Sequence, residues 1–148
     1  MGKFLLSLLY ASIAVAILAT AVLAIHPKKP NQSRVFLGGQ EIFVDIADTP
    51  ALQELGLSFR EKLNANEGML FVFQKPMPYG FWMKDMKFPI DIIWFDANRH
   101  IVDVWENAEP SSYPYVFTAR TPAQFVLEVP AGFFSKYDLE LGNTLEIP

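Results

Sequence analysis

The chain has 148 residues, 12 basic and 16 acidic side chains, a formal net charge of −4 and no cysteine. The missing cysteine excludes disulfides, a lipidated cysteine and thiol catalysis, while leaving the redox compartment open. Once an apolar N-terminal stretch is subtracted, the length fits one domain of ordinary size.

Residues 1–3 form a short tip carrying Lys3, and Phe4 to Ile25 carry no charge. As a helix, these 22 residues reach about 33 Å, enough for a hydrocarbon core of about 30 Å. The segment 4–25 therefore reads as an N-terminal transmembrane helix. The alternative is a cleaved signal sequence with a small-residue site at Val22-Leu-Ala24. The run exceeds the roughly 7 to 15 residues of a signal core, which favours retention. Lys28, Lys29 and Arg34 follow the segment, so the positive-inside count alone would put the domain in the cytoplasm. A single anchor followed by one domain instead suits an extracytoplasmic domain, and that orientation is the expectation. The alternative location is secreted or periplasmic after cleavage. The myristoylation pattern fails, because Leu6 stands where the hydroxyl residue is needed.

Residues 26–33 hold two prolines and two lysines without apolar period, as a linker would. The domain then spans 34–148. Nine basic residues against 16 acidic ones give it a formal charge of −7, so nucleic acid is not an expected partner.

Val35–Leu37 and Glu41–Ile46 flank Gly38-Gly39, which predicts a hairpin. Asp48 or Thr49 before Pro50 predicts a helix start, and Leu52, Leu55 and Phe59 keep helical spacing as far as Arg60. Short β-prone runs follow at Met69–Phe73, Ile90–Phe95, Ile101–Trp105, Phe125–Val129 and Thr144–Ile147. Asp96-Ala-Asn-Arg99 predicts a hairpin loop with Asn98 in the left-handed conformation. The pattern implies an α+β domain that is β-rich and mainly antiparallel, as a compact sheet or barrel-like fold with one or two short helices.

Charges stand singly inside apolar sequence at Phe81-Trp-Met-Lys84 and Phe88-Pro-Ile-Asp91. With Gly56-Leu57, Arg60, Gly68-Met-Leu-Phe71, Leu127-Glu128 and Ala131-Gly132, they make residues 35–148 resemble the domain of unknown function 192 family. The resemblance implies a fold, and no established activity comes with it. It also resembles members that carry a signal or anchor. If the signature marks a shared site, Arg60, Trp82, Lys84, Asp91 and Glu128 carry over as ligand-binding candidates. Asp85 stands where members commonly show asparagine, and Asn143 where they show an acidic residue.

Strand alternation puts Asp91 on the face of Ile93 and Phe95, opposite Ile90, Ile92 and Trp94. A carboxylate there needs a partner, and Lys84 or Arg60 is the expected one. Arg60 itself is expected to cap the carbonyls of the preceding helix, the alternative being that it reaches an anionic group across the domain. Asp91 and Glu128 beside Trp82 and Trp94 would suit a small or carbohydrate-like ligand, and two carboxylates would also suit glycoside hydrolysis. His100 stands alone within the domain, so no metal site and no cofactor are expected. The serines lie in no nucleophile elbow.

The leading expectation is a membrane-tethered, non-catalytic binding or accessory module for a small or carbohydrate-like ligand or an envelope partner. The alternatives are a glycan hydrolase acting through Asp91 and Glu128, and a structural envelope scaffold.

Overall fold

The computed structural model describes residues 32–148. The expected anchor or signal at 4–25 lies outside the described residues, as does most of the linker. Among the described residues, no helix is long and apolar enough to cross a membrane.

The chain opens with the expected hairpin, β1 (Gln32–Leu37) and β2 (Gln40–Ala47). Gly38 (φ 56°) and Gly39 (φ 75°) both take the left-handed backbone that a two-residue turn of this twist requires. Helix α1 (Pro50–Leu55) starts at Thr49, whose side chain accepts from the Leu52 N–H, with Pro50 at the first position. It ends sooner than the apolar spacing implied. Gly56 (φ 52°) turns the backbone out of the helix after Leu55, and its N–H closes on Leu52 O.

Strand β3 (Glu67–Met77) is followed by a two-residue strand β4 (Gly80–Phe81), then β5 (Ile90–Phe95) and β6 (Ile101–Ala108). A 3₁₀ turn (Pro110–Ser112), β7 (Phe117–Thr118), β8 (Ala123–Pro130) and the one-turn helix α2 (Phe133–Lys136) complete the order. The main sheet runs β1-β2-β3-β8-β5-β6, and β4 pairs with β7 as a separate ribbon. Its pairings are antiparallel except for the parallel pair β2–β3. The barrel-like expectation gives way to an open mixed sheet. Thr144–Ile147 forms no strand but two isolated bridges, Thr144 to His100 and Glu146 to Phe36, which tie the β5–β6 turn to β1. In the β5–β6 loop, Arg99 rather than Asn98 takes the left-handed conformation (φ 67°).

Both faces of the sheet are covered. One carries Ala47, Met69, Phe71, Ile92, Trp94 and Val126 under the β4–β7 ribbon and the 56–63 and 82–88 segments. The other carries Val35, Val44, Leu70, Ile93, Phe95, Leu127 and Val129 under Phe133, Leu139 and Leu145. This two-sided burial explains why β5 reads as a continuous apolar run, with every residue buried.

Candidate functional site

Register decides where each charged side chain points. Asp45 pairs with Gln32 and Met69, Met69 with Glu128, Glu128 with Ile92, and Ile92 with Trp105. Partners in register project to the same side, so this row of six crosses the whole sheet on the Met69 and Ile92 face. Asp91 pairs with Val129, one step along, and projects to the opposite face. The two carboxylates proposed as a hydrolytic pair are therefore separated by the sheet. They cannot flank one glycosidic bond.

Asp91 is fully buried on the expected face, but its partner is not a cation. Its Oδ1 accepts from the Asn107 N–H at 2.9 Å and the Gly132 N–H at 3.0 Å, and its Oδ2 accepts from the Phe134 N–H at 2.9 Å. A bulge opposite Asp91 turns the Asn107 N–H toward it, with Asn107 at φ 52°. The other two donors belong to the cap and first turn of α2. Three backbone amides satisfy this carboxylate, which joins β5, β6 and α2.

Lys84 is exposed, and it is its backbone carbonyl that is engaged, accepting from Ser58 Oγ at 2.8 Å. Arg60 does not cap the helix. Its Nη2 lies 2.6 Å from Asp45 Oδ2, a half-buried ion pair in the same row as Glu128. Trp94 is no part of a stacking floor, because it is buried and its Nε1 reaches Tyr79 O at 3.4 Å.

Glu128 is the unusual group. It is 5 % exposed, and its Oε2 has no hydrogen-bond partner among the described residues. Burial pushes its carboxyl up to about 8, against the weaker opposing pull of the Arg60 guanidinium. Strand spacing puts Asp45 two strands away from Glu128, about 10 Å, with Met69 between them, so Arg60 biases Glu128 without bonding to it. At neutral pH the group is a carboxylic acid that can donate one hydrogen bond and accept others.

Asp103 supplies the contrast on the same face. It is also buried, but it receives Arg120 Nη2 at 2.6 Å, Arg120 Nε at 3.1 Å, and the backbone N–H groups of Arg120 and Val104. Those bonds, led by the Arg120 guanidinium, hold it below the usual carboxylate range.

Glu128 contributes to the wall of a cavity of about 320 Å³. Leu57, Phe71, Phe73, Tyr79, Phe81, Trp82 and Met86 make the rest of it largely aromatic and aliphatic. Of the polar neighbours, Gln53 donates to Ala47 O and Val72 O, and Ser58 to Lys84 O, while the exposed Glu54 carboxylate makes no hydrogen bond or ion pair among the described residues. A smaller hollow of about 250 Å³ shares Leu55, Gly56 and Ser58 with it and reaches Phe59 and Arg60. Of the five candidates, Trp82 and Glu128 thus meet at one cavity, Arg60 borders the adjoining hollow, and Asp91 lies across the sheet. Among the described residues, no group of three His, Asp or Glu side chains is placed to hold a metal ion.

Glycine sets how closely the strands approach here. A Cβ on Gly68 would sit 2.7 Å from Glu128 O and 3.3 Å from Val129 Cγ1, so β3 can lie against β8 at this point only without a side chain. Asp45, Phe73 and Tyr79 join the site without being among the candidates expected from the sequence. An aspartate inside Val44-Asp-Ile46 was a visible signal for the first, while Tyr79 and Phe73 stack only through the β3–β4 turn.

The chain matches the DUF192 family model, described as "Uncharacterized ACR", over residues 33–147. A UPF0127 protein from Thermococcus gammatolerans is 28% identical over 104 residues, 69% of this chain and 64% of that one. This chain thus spans just under two thirds of the length of that relative. A Sinorhizobium meliloti crystal structure, provisionally named a transcription regulator, superposes with TM-score 0.77 at 30% identity. It covers 82% of this chain and 97% of its own. A Novosphingobium aromaticivorans protein of unknown function superposes with TM-score 0.76 at 29% identity, over 82% of this chain and 90% of that one.

Proposed function

This chain belongs to the DUF192 family, and we propose that its domain is a non-catalytic binding module for a small, largely apolar ligand seated against Glu128. The observation that carries this reading is the unpartnered Glu128 Oε2 in the wall of an aromatic cavity. A buried polar atom without a partner costs about 1–3 kcal/mol. An occupant with one hydrogen-bonding group recovers that cost, and its flat or aliphatic body fits walls of Phe71, Phe81 and Trp82. Because Gln53 and Ser58 are already bonded, Glu54 at the edge and Glu128 are the acidic groups left for a ligand, and the lining suits such a molecule better than a saccharide, which needs many free polar partners.

The same reading keeps the domain tethered outside the cytoplasm by a retained anchor at 4–25, supported by the uncharged length of that segment. The regulator name belongs to the S. meliloti protein. The formal charge of −7 on residues 34–148 runs against phosphate-backbone binding here.

Titration with N-phenyl-1-naphthylamine, a flat uncharged fluorophore, tests the module. The expected result is saturable one-site binding that Trp82→Ala weakens by about tenfold, or 1.4 kcal/mol. Absence of saturable binding, or binding indifferent to both Trp82→Ala and Glu128→Gln, contradicts it.

A further inference from the structure

Three large apolar side chains stand in water round the mouth of the two joined hollows: Leu55, Phe59 and Trp82, the last two 64% and 44% exposed. They come from two stretches of chain, the end of α1 with the turn directly after it, and the loop after β4. Phe59 also holds a left-handed backbone (φ 65°), which is strained for a bulky residue. The backbone carbonyl of Asp85, itself at φ 56°, accepts from the Phe59 N–H at 2.9 Å and fixes that presentation. The fold therefore spends backbone strain to hold an aromatic ring in solvent.

The chain enters the domain on this same side. Gln32 is the register partner of Asp45, Asp45 holds Arg60, and Arg60 follows Phe59. Six residues, 26–31, separate Gln32 from the uncharged segment 4–25. Fully extended, they reach about 20 Å. A domain of this length has a radius of gyration of about 13 Å, so a tether this short keeps one side of it near the headgroups. Lys62 and Lys84 are exposed on the same two loops and have no ion-pair partner among the described residues. The same stretches also carry exposed Glu54, Glu61 and Asp85, with Glu61 paired to Lys87, so the rim is close to neutral in an otherwise acidic domain. Aromatic and aliphatic tips flanked by lysines are what an interfacial surface presents to anionic lipid.

We infer that the Leu55–Phe59–Trp82 rim is a bilayer-contact surface, so that the cavity mouth faces the membrane to which the chain is tethered. The inference rests on the proposed anchor, and its test separates the two. The chain has no cysteine, so a single Glu54→Cys on the rim and a single Glu140→Cys on the opposite layer each carry one environment-sensitive fluorophore. The full chain is reconstituted in phosphatidylcholine–phosphatidylglycerol vesicles with and without doxyl-labelled lipid. The expected result is blue-shifted emission and severalfold stronger quenching at position 54 than at 140, with the difference lost on Phe59→Asp plus Trp82→Ala. Equal quenching at both positions in a chain that resists carbonate extraction overturns the contact surface and leaves the anchor standing. Loss of the chain to carbonate overturns both.

Discussion

Asp91 and Glu128 lie on neighbouring strands, both buried, one register step apart and on opposite faces of one sheet. Asp91 has three backbone donors, whereas Glu128 Oε2 has none among the described residues. The difference shows that burial alone does not mark a functional acid. What matters is whether the fold supplies the partners that burial demands. Asp91 is a joint, and Glu128 is an unfinished interaction facing a cavity.

The largest expected effect breaks the joint. Asp91→Ala leaves the amides of Asn107, Gly132 and Phe134 without their acceptor, and urea unfolding should show a loss of more than about 3 kcal/mol. A loss below about 1 kcal/mol would mean that water replaces the carboxylate and that α2 does not depend on it.

Glu128 should respond in the opposite sense. Its folded pKa, about 8, is raised above the unfolded carboxyl value, so the folded state keeps a proton that the unfolded chain has released. Stability should therefore fall as pH rises between roughly 4.5 and 8, with the penalty fully present above that window. Glu128→Gln should remove this decline and stabilise the domain at high pH by a few kcal/mol. Unfolding curves across that range check it, and an unchanged slope in the variant contradicts it.

Gly68→Ala should cost about 1–3 kcal/mol, because the new methyl meets backbone at Glu128 O rather than a side chain that can swing away. Arg60→Ala should have the smallest effect. Removing the guanidinium removes a downward pull on Glu128, so the pH window moves upward while most of the stability remains. The Arg60–Asp45 pair is only half-buried, and partly exposed pairs contribute little.

How much of this was legible differs between the same two residues. The alternation of Ile90–Phe95 placed Asp91 on the correct face, because side-chain direction in a strand follows from residue count alone. Its partners were not legible. They are backbone amides 16, 41 and 43 residues away, at a bulge and a one-turn helix that no residue type announces. Charge matching instead suggested Lys84 or Arg60, and the fold uses neither. Glu128 stands within a family signature, but its isolation depends on the β3–β8–β5 register, which a sequence without pairings does not contain. The helix to Arg60 failed for a local reason: the apolar spacing continued through Gly56, and the backbone did not.

The most direct test of the central claim is a carboxyl-carbon NMR titration of Glu128, assigned by comparison with Glu128→Gln. A midpoint near pH 8 is the result expected of an acid held neutral beside the cavity. A midpoint near 4.3, the ordinary glutamate value, would mean that the carboxylate is solvated or paired, and would remove the basis for a ligand seated against it.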